Sequence, residues 1–445
     1  MHPQAPASPR LVNMNCSPSS AIRTKMKTND YAAYLALDWG DSHHAFALQM
    51  ADTQKTEKGQ FAARPEAIHD WLKELGSRCS HGRVACAIEA GGDALVSALL
   101  EHKWIEIYPV NAAMSARFRK ALVPSGAKDD VPDANVLLTL LLRHGDQLKP
   151  LQLDSAKTRE LAALVLARRG AVDRRSQLGN QLRAVLKGYF PQALALVGDD
   201  IHGVMALDFL ERWPDLATLQ KARAATVQSF YVLHRVRRPE LIKSRLELVA
   251  QAQPLTQDSA VIGPAVLQVQ MLTAMIKTLQ RHIARFDESI QERFAAHAES
   301  ALFRQLPGAG PQLAPRLLVA FGDNRQRYPD ATSLQKYAGL APVKEKSGRQ
   351  LWVHWRWNAP IFVRQTFVEW AGQTVVYCDW AGVYYARQKR AGKGHHAIIR
   401  ALAFKWIRVL WRCWHRQEAY DEARYLTALR QRRSPLIQDL DLALS

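Results

Sequence analysis

Cysteine is scarce in this chain. The five cysteines in 445 residues (Cys16, Cys79, Cys86, Cys378 and Cys413) show no paired spacing, which argues against a disulfide framework and against a zinc site. Long apolar runs are also missing: none reads as approaching the roughly 18 residues that cross a bilayer, so no membrane partner is expected. The first 30 residues hold no secretory apolar core, and their Pro, Ser and Asn content reads as a disordered tail. A cytoplasmic location follows as the expectation. Acidic charge is the third shortage, with 41 Asp and Glu against 60 Lys and Arg, a net of +19.

That imbalance is uneven. Residues 31–150 carry 13 basic and 15 acidic side chains, residues 151–300 carry 20 and 15, and residues 301–445 carry 23 and 10. The net charges are therefore −2, +5 and +13. A near-neutral first domain joined to a strongly basic last one suggests acidic chemistry delivered to a polyanion. The expected organisation is a tail (1–30), an α/β domain (31–150), a helical arm (151–300) and a basic, mainly α domain (301–445).

Within residues 31–150 the apolar run Tyr34–Leu37 stops at Asp38, and Ala45–Gln49 resumes it after the Gly40 turn, the pattern of a β-hairpin. Gln60–Ala62 reads as a third strand and Pro65–Leu75 as a helix with Ile68, Trp71, Leu72 and Leu75 on one face. A strand Val84–Ile88 ends on Glu89. After the Gly91-Gly92 turn come a helix 93–101, a strand 105–110, a helix 111–122 and a loop delivering Lys128, Asp129 and Asp130. Asp133 opens a last helix to Leu142. This is the element order of a ribonuclease-H-like fold. Two strands ending in carboxylates can lie side by side, and Asp130 and Asp133, three apart, share a helix face. Four converging carboxylates need cations, and they are the oxygen ligands that two Mg²⁺ ions about 4 Å apart require.

The pattern Leu-Asp at Asp38, Ile-Glu-Ala at Glu89 and Lys128-x-Asp130-x-x-Asp133-Ala134 resembles the DEDD transposases of bacterial insertion sequences, which are Piv-invertase-like recombinases with a RuvC-like N-terminal domain. The resemblance implies that Asp38, Glu89, Asp130 and Asp133 are catalytic and bind divalent metal, Mg²⁺ or Mn²⁺. Ala90-Gly91-Gly92 departs from the Thr-Gly or Cys-Gly that many members carry there, without removing a ligand.

The middle holds two long helical patterns, Lys157–Tyr189 and Val261–Phe294, which fit an antiparallel hairpin or coiled-coil arm. Arg168, Arg169, Arg174, Arg175 and Arg183 crowd the first with few acids nearby, which favours a nucleic-acid-facing surface.

In the last domain Leu306-Pro307-Gly308-Ala309-Gly310 reads as a helix-hairpin-helix whose Gly308 and Gly310 let backbone N–H groups face a phosphate. Tyr337-Ala338-Gly339-Leu340-Ala341-Pro342 leads into a basic loop with Lys344, Lys346, Ser347, Gly348 and Arg349. By itself Ser347 is a polar loop residue. An A-G-L-x-P segment followed by Ser-Gly is the second signature of the DEDD family, and the resemblance implies that Ser347 is a nucleophile that becomes joined to DNA. It also implies DNA element ends and target as partners, a structured guide RNA, an oligomer (dimer or tetramer) and a nucleoid-associated place in a bacterial cell. Trp352, Trp355 and Trp357 alternate as on a strand, a candidate base-stacking set, whereas Trp406, Trp411 and Trp414 on a helix 397–416 read as core. Arg387, Lys389, Arg390 and Lys393 form a basic loop suited to phosphates. Three rival readings stay open. One is a junction nuclease using the acids alone, and another a non-catalytic nucleic-acid-binding protein. The third, a sugar-kinase-like ATPase suggested by Asp38-Trp39-Gly40-Asp41-Ser42, needs a second phosphate loop that the chain does not show.

Overall fold

The computed structural model describes residues 31–89, 93–122 and 130–444. The N-terminal tail, the Gly91-Gly92 turn and the loop carrying Lys128 and Asp129 lie outside them. Two compact units divide the chain: residues 1–156 with 301–445, and residues 157–300.

The first part of the former unit is an α/β sandwich around β1 (Ala33–Asp38), β2 (His43–Met50), β3 (Thr56–Ala62), β4 (Val84–Glu89) and β5 (Ile105–Val110). The sheet order is β3-β2-β1-β4-β5. β1 pairs antiparallel with β2 and β2 with β3, while β1, β4 and β5 run parallel. Four helices accompany the sheet: α1 (Pro65–Arg78), α2 (Asp93–Leu100), α3 (Ala112–Leu122) and α4 (Asp130–His144). Alternation sorts the strands' side chains. Leu35, Leu37, Phe46, Leu48, Cys86 and Ile88 pack with Ile68, Leu72 and Leu75 of α1 and Leu95 and Leu99 of α2. The opposite face is lined by small residues, Ala36, Ala45, Ala47, Ala85 and Ala87, under Ala134, Leu137, Leu138 and Leu141 of α4. With so many alanines beneath it, α4 can seat directly on the strands.

After Leu148 a segment without regular secondary structure packs against residues of the last domain before the helix at Ala156 begins. Asp154 accepts hydrogen bonds at Oδ1 from the backbone N–H of Asp323 (2.9 Å) and Asn324 (3.0 Å), and its Oδ2 pairs with Arg327 Nη1 at 2.8 Å. Gly322, at φ +74°, has no side chain for a reason: a Cβ there would lie 2.2 Å from Asp154 Oδ1.

Residues 301–445 form helices around buried indoles. Trp370, Trp380, Trp406 and Trp414 are fully buried, and each N–H finds an acceptor: Pro307 O, Tyr420 Oη, Thr374 Oγ1 and Gly322 O at 2.7–2.9 Å. This meets the requirement for burying a Trp donor. Core packing is thus the role of Trp406 and Trp414, on the helix His395–Arg416.

Two segments read as loops are ordered elements. Ser347 is the last residue of β6 (Val343–Ser347), which pairs with β7 (Gln350–His354) as a hairpin turning at Gly348-Arg349; Gly348 supplies the positive φ, +56°, that the turn needs. The run from Arg387 splits between the end of one helix (Asp379–Arg390), a turn through Gly392 and the start of the next. Lys and Arg side chains do not interrupt a helix, which is why charge alone misplaced that boundary.

The second unit contains the two long helices, Ala156–Tyr189 and Ser259–Ala295. They run antiparallel, as Glu160–Arg293 and Arg168–Asp287 pairs and the Thr158–His297 hydrogen bond show. The five helices between them, from Gln192 to Gln251, bury Phe190, Phe209, Trp213, Phe230 and Tyr231 against Leu182, Leu186, Leu272 and Ile276. Two of the arginines read as nucleic-acid-facing are neutralised within this unit, Arg168 by Asp287 and Arg169 by Asp173. The helix Ser259–Ala295 also corrects the reading of apolar runs. Its sequence contains an 18-residue window with mean hydropathy 1.5, long and apolar enough by composition to cross a membrane, although Val269, Leu272 and Ile276 are spent on this unit's core.

Candidate functional site

Asp38 and Glu89 are the final residues of β1 and β4. These strands are parallel neighbours whose last paired residues are Leu37 and Ile88, so the two carboxylates leave the sheet at the same level. Parity decides which way they face. Ala36 and Ala87, two residues earlier, lie in the cluster under α4, and a period of two puts Asp38 and Glu89 on that same side. Both are half-buried.

Asp133 lies in the first turns of α4, immediately before the sheet-packed Ala134. It is buried, and its Oδ2 is 2.5 Å from Arg119 Nη2 of α3. Arg119 was not singled out by sequence reasoning; its position on a neighbouring helix, 14 residues away, follows no local spacing. The side chain of Asp130 lies outside the described residues. Among the described residues no group of three or more His, Cys, Asp or Glu side chains is gathered closely enough to hold a metal ion. The structure thus brings Asp38 and Glu89 together, sets Asp133 on the helix that covers them and ties it to Arg119.

The other candidate centre is the β6–β7 ribbon. Of its ten strand residues all but half-buried Val343 are exposed. The register Val343–His354, Glu345–Trp352 and Ser347–Gln350 sets Ser347, Glu345, Gln350, Trp352 and His354 on one face. Lys344 and Lys346 fall on the other, with Leu351 and Val353. Glu345 Oε2 and His354 Nε2 are 3.1 Å apart, and Trp352, 44% exposed, is the cross-strand partner of Glu345. Arg349 occupies the turn. Trp355 follows β7 and faces two cations, with Arg364 Cζ 5.2 Å and Arg400 Cζ 4.6 Å from its ring centroid. Trp357 is 81% exposed.

Gly308 and Gly310 adopt positive φ, +68° and +55°, ahead of the helix Gly310–Phe321. Gly308 packs on Gln373, where a Cβ would approach to 3.0 Å, while Gly310 faces open space. With Gln312, Gln373 and Tyr377 they line an open hollow of about 550 Å³. Arg387 and Arg390 both approach Asp439, at 3.4 and 4.0 Å. Lys393 Nζ donates to Gln388 Oε1 at 2.6 Å.

Residues 35–191 match a family described as "Transposase", of the DEDD type named for IS110, and residues 300–413 match the "Transposase IS116/IS110/IS902 family". Over 428 residues the chain is 28% identical to the "Mini-circle putative transposase for IS117" of Streptomyces coelicolor, covering 91% of this chain and 99% of that protein. It is 26% identical to the "Insertion element IS110 uncharacterized 43.6 kDa protein" of the same organism, over 86% of this chain and 94% of the relative. The "Insertion element IS900 uncharacterized 42 kDa protein" of Mycobacterium paratuberculosis is 25% identical over 85% and 94%.

Proposed function

The chain belongs to the transposase family of the insertion elements IS110, IS116 and IS902, and from that premise we propose that it cleaves and rejoins DNA with an acidic metal site and a serine nucleophile. The observation that carries this reading is the placement of Asp38 and Glu89 on registered parallel strands, both facing the helix that bears Asp133. The strand order β3-β2-β1-β4-β5, with its antiparallel hairpin side and parallel βαβ side, supports a ribonuclease-H-like, RuvC-like domain.

Asp38, Glu89, Asp130 and Asp133 would hold divalent metal, two Mg²⁺ ions or Mn²⁺ in their place. The donor set fits: it is all carboxylate oxygen, the chemistry that hard divalent cations take, and two carboxylates side by side repel unless a cation lies between them. Bound there, such ions polarise phosphate oxygens and activate an oxygen nucleophile. Arg119 already offsets the charge of buried Asp133 and sets its direction.

Ser347 then acts on a phosphodiester. Its Oγ forms a bond to phosphorus, the bond from phosphorus to one sugar oxygen breaks, that oxygen leaves as a hydroxyl and the serine proton is released. The phosphoserine link conserves the phosphodiester energy, and attack by a sugar hydroxyl of another strand reverses it. Exposure at the end of a narrow ribbon lets Ser347 reach a phosphate, and Gly348 beside it leaves room for the strand. The substrates in this reading are element ends and target DNA, chosen through a structured RNA of the element, by an oligomer. The net +13 on residues 301–445 supports nucleic acid of either kind.

Labelled DNA from an element end, incubated with protein and then denatured, tests both halves. Ser347→Ala protein should form no protein–DNA adduct yet bind DNA normally. Asp38→Asn and Glu89→Gln proteins should lose strand cleavage in Mg²⁺ by at least about 100-fold, the scale of removing a group that stabilises transition-state charge. Cleavage without an adduct in wild-type protein would favour the junction nuclease instead.

A further inference from the structure

The strongest unassigned feature is the root of the ribbon. Trp355, the residue after β7, is flanked by Arg364 from the helix Ile361–Tyr377 and Arg400 from the helix His395–Arg416. Neither helix has an acidic residue in its first turn. Among the described residues no carboxylate pairs with Arg356, Arg364 or Arg400. This contrasts with Arg387 and Arg390, which share Asp439.

Arg364 is held firmly. Its Nη2 donates to the carbonyls of Arg356 (2.9 Å) and Trp357 (3.0 Å). Gly339 of the Ala-Gly-Leu segment makes the space for it: a Cβ there would lie 2.7 Å from Arg364 Nη2 and 2.5 Å from the Ala359 Cβ. Burial without a compensating anion pulls the Arg364 guanidinium below its ordinary pKa. Arg364 also lies in the first turn of its helix, where the dipole opposes a cation and favours an anion. Arg400 shows no hydrogen bond to the described residues; the Trp355 ring orients its guanidinium and leaves the N–H edges open. A guanidinium stacked on an indole with free edges is the geometry that binds a phosphate bidentately.

We propose that Arg400, backed by Trp355 and Arg364, is a seat for one phosphate of the DNA strand that Ser347 attacks. This rests on the reading of Ser347 given above. Five strand steps of about 3.4 Å separate Trp355 from Gln350, the partner of Ser347, so the seat lies about 17 Å from the nucleophile. Along a B-form duplex that is about five base pairs. Arg400 anchors the strand at the ribbon's root while its tip meets the reacting phosphate.

The test uses full-length protein in the Ser347→Ala background, so that binding alone is read, with a mixed-sequence DNA duplex titrated at several salt concentrations. Arg400→Gln should lower the slope of log affinity against log salt by about 0.9, the share of one phosphate contact on duplex DNA, with an unchanged melting temperature. Arg400→Lys should keep that slope, and Trp355→Leu should weaken binding while keeping both arginines. A slope in Arg400→Gln equal to the parent's would overturn the seat. So would a loss seen with a structured RNA but absent with the duplex. Should the Ser347 reading itself fail, Ser347→Ala would still form the DNA adduct, an outcome separate from any change in slope.

Discussion

At the scale of single residues, two positions show how local chemistry serves the sites. His44 is buried on β2 beside Phe61, and its Nδ1 accepts a long, 3.4 Å hydrogen bond from the Gly40 N–H in the turn that follows Asp38. Burial, with a smaller contribution from His43, holds the imidazole below its ordinary pKa of 6.5. The unfolded chain therefore binds more protons as pH falls through 6.5, so stability is full above that value. It declines below it until the folded-state pKa is passed. Urea midpoints measured between about pH 7 and 5 should fall in the parent, and that part of the slope should vanish in His44→Gln. Gly339 is the second position. With φ at +68° and its would-be Cβ against Ala359 and Arg364, Gly339→Ala combines backbone strain with overpacking. A cost of about 1–3 kcal/mol is expected, read from the shift in urea midpoint at unchanged slope.

Among elements, the segment around Asp154 and the β6–β7 ribbon stand at opposite extremes. Asp154 and Arg327 have side chains only 13% and 10% exposed, and two backbone amides complete the carboxylate's shell. Asp154→Ala leaves Arg327 buried beside Tyr328 and Tyr337 with its charge uncompensated. The expected loss is about 3–5 kcal/mol, measurable by denaturant titration of the full chain. The ribbon has both faces in water, and a lone two-stranded hairpin is marginally stable. It should gain order on its substrate: amide hydrogen exchange across 343–354 should slow when duplex DNA is bound, and equal exchange with and without DNA would remove the ribbon from the interface. Its amphipathic alternation was only half legible. In sequence Trp352, Trp355 and Trp357 form one alternating set, but β7 ends at His354, and Trp355 is occupied by arginines instead of facing outward with the others.

For the whole molecule, basic charge and the candidate acids are segregated. The candidate acids lie in a region of net −2, while residues 301–445 carry +13. Affinity for a polyanion should therefore be insensitive to the acids. Duplex binding by the full chain should fall steeply with salt, and Asp38→Asn should leave that salt slope unchanged while abolishing cleavage. A slope that changes with Asp38→Asn would show that the acidic site contributes to binding, contrary to this division.

Strand and helix periodicity determined from sequence alone the α/β order of residues 31–144 and the two long helices of the middle, because apolar alternation and helical spacing are local properties of the chain. The terminal carboxylates Asp38 and Glu89 were legible for the same reason: each abruptly ends an apolar run. Tertiary structure alone decided the rest. It paired Arg119 with Asp133 across two helices, supplied Asp287 to an arginine-rich helix, packed a five-helix core between the long helices, and separated Ser347 from Lys344 and Lys346 by one step of pleat. These facts rest on contacts between residues 14 to more than a hundred apart and on strand register. No window of sequence contains them, because they arise only when burial of the cores brings the elements together.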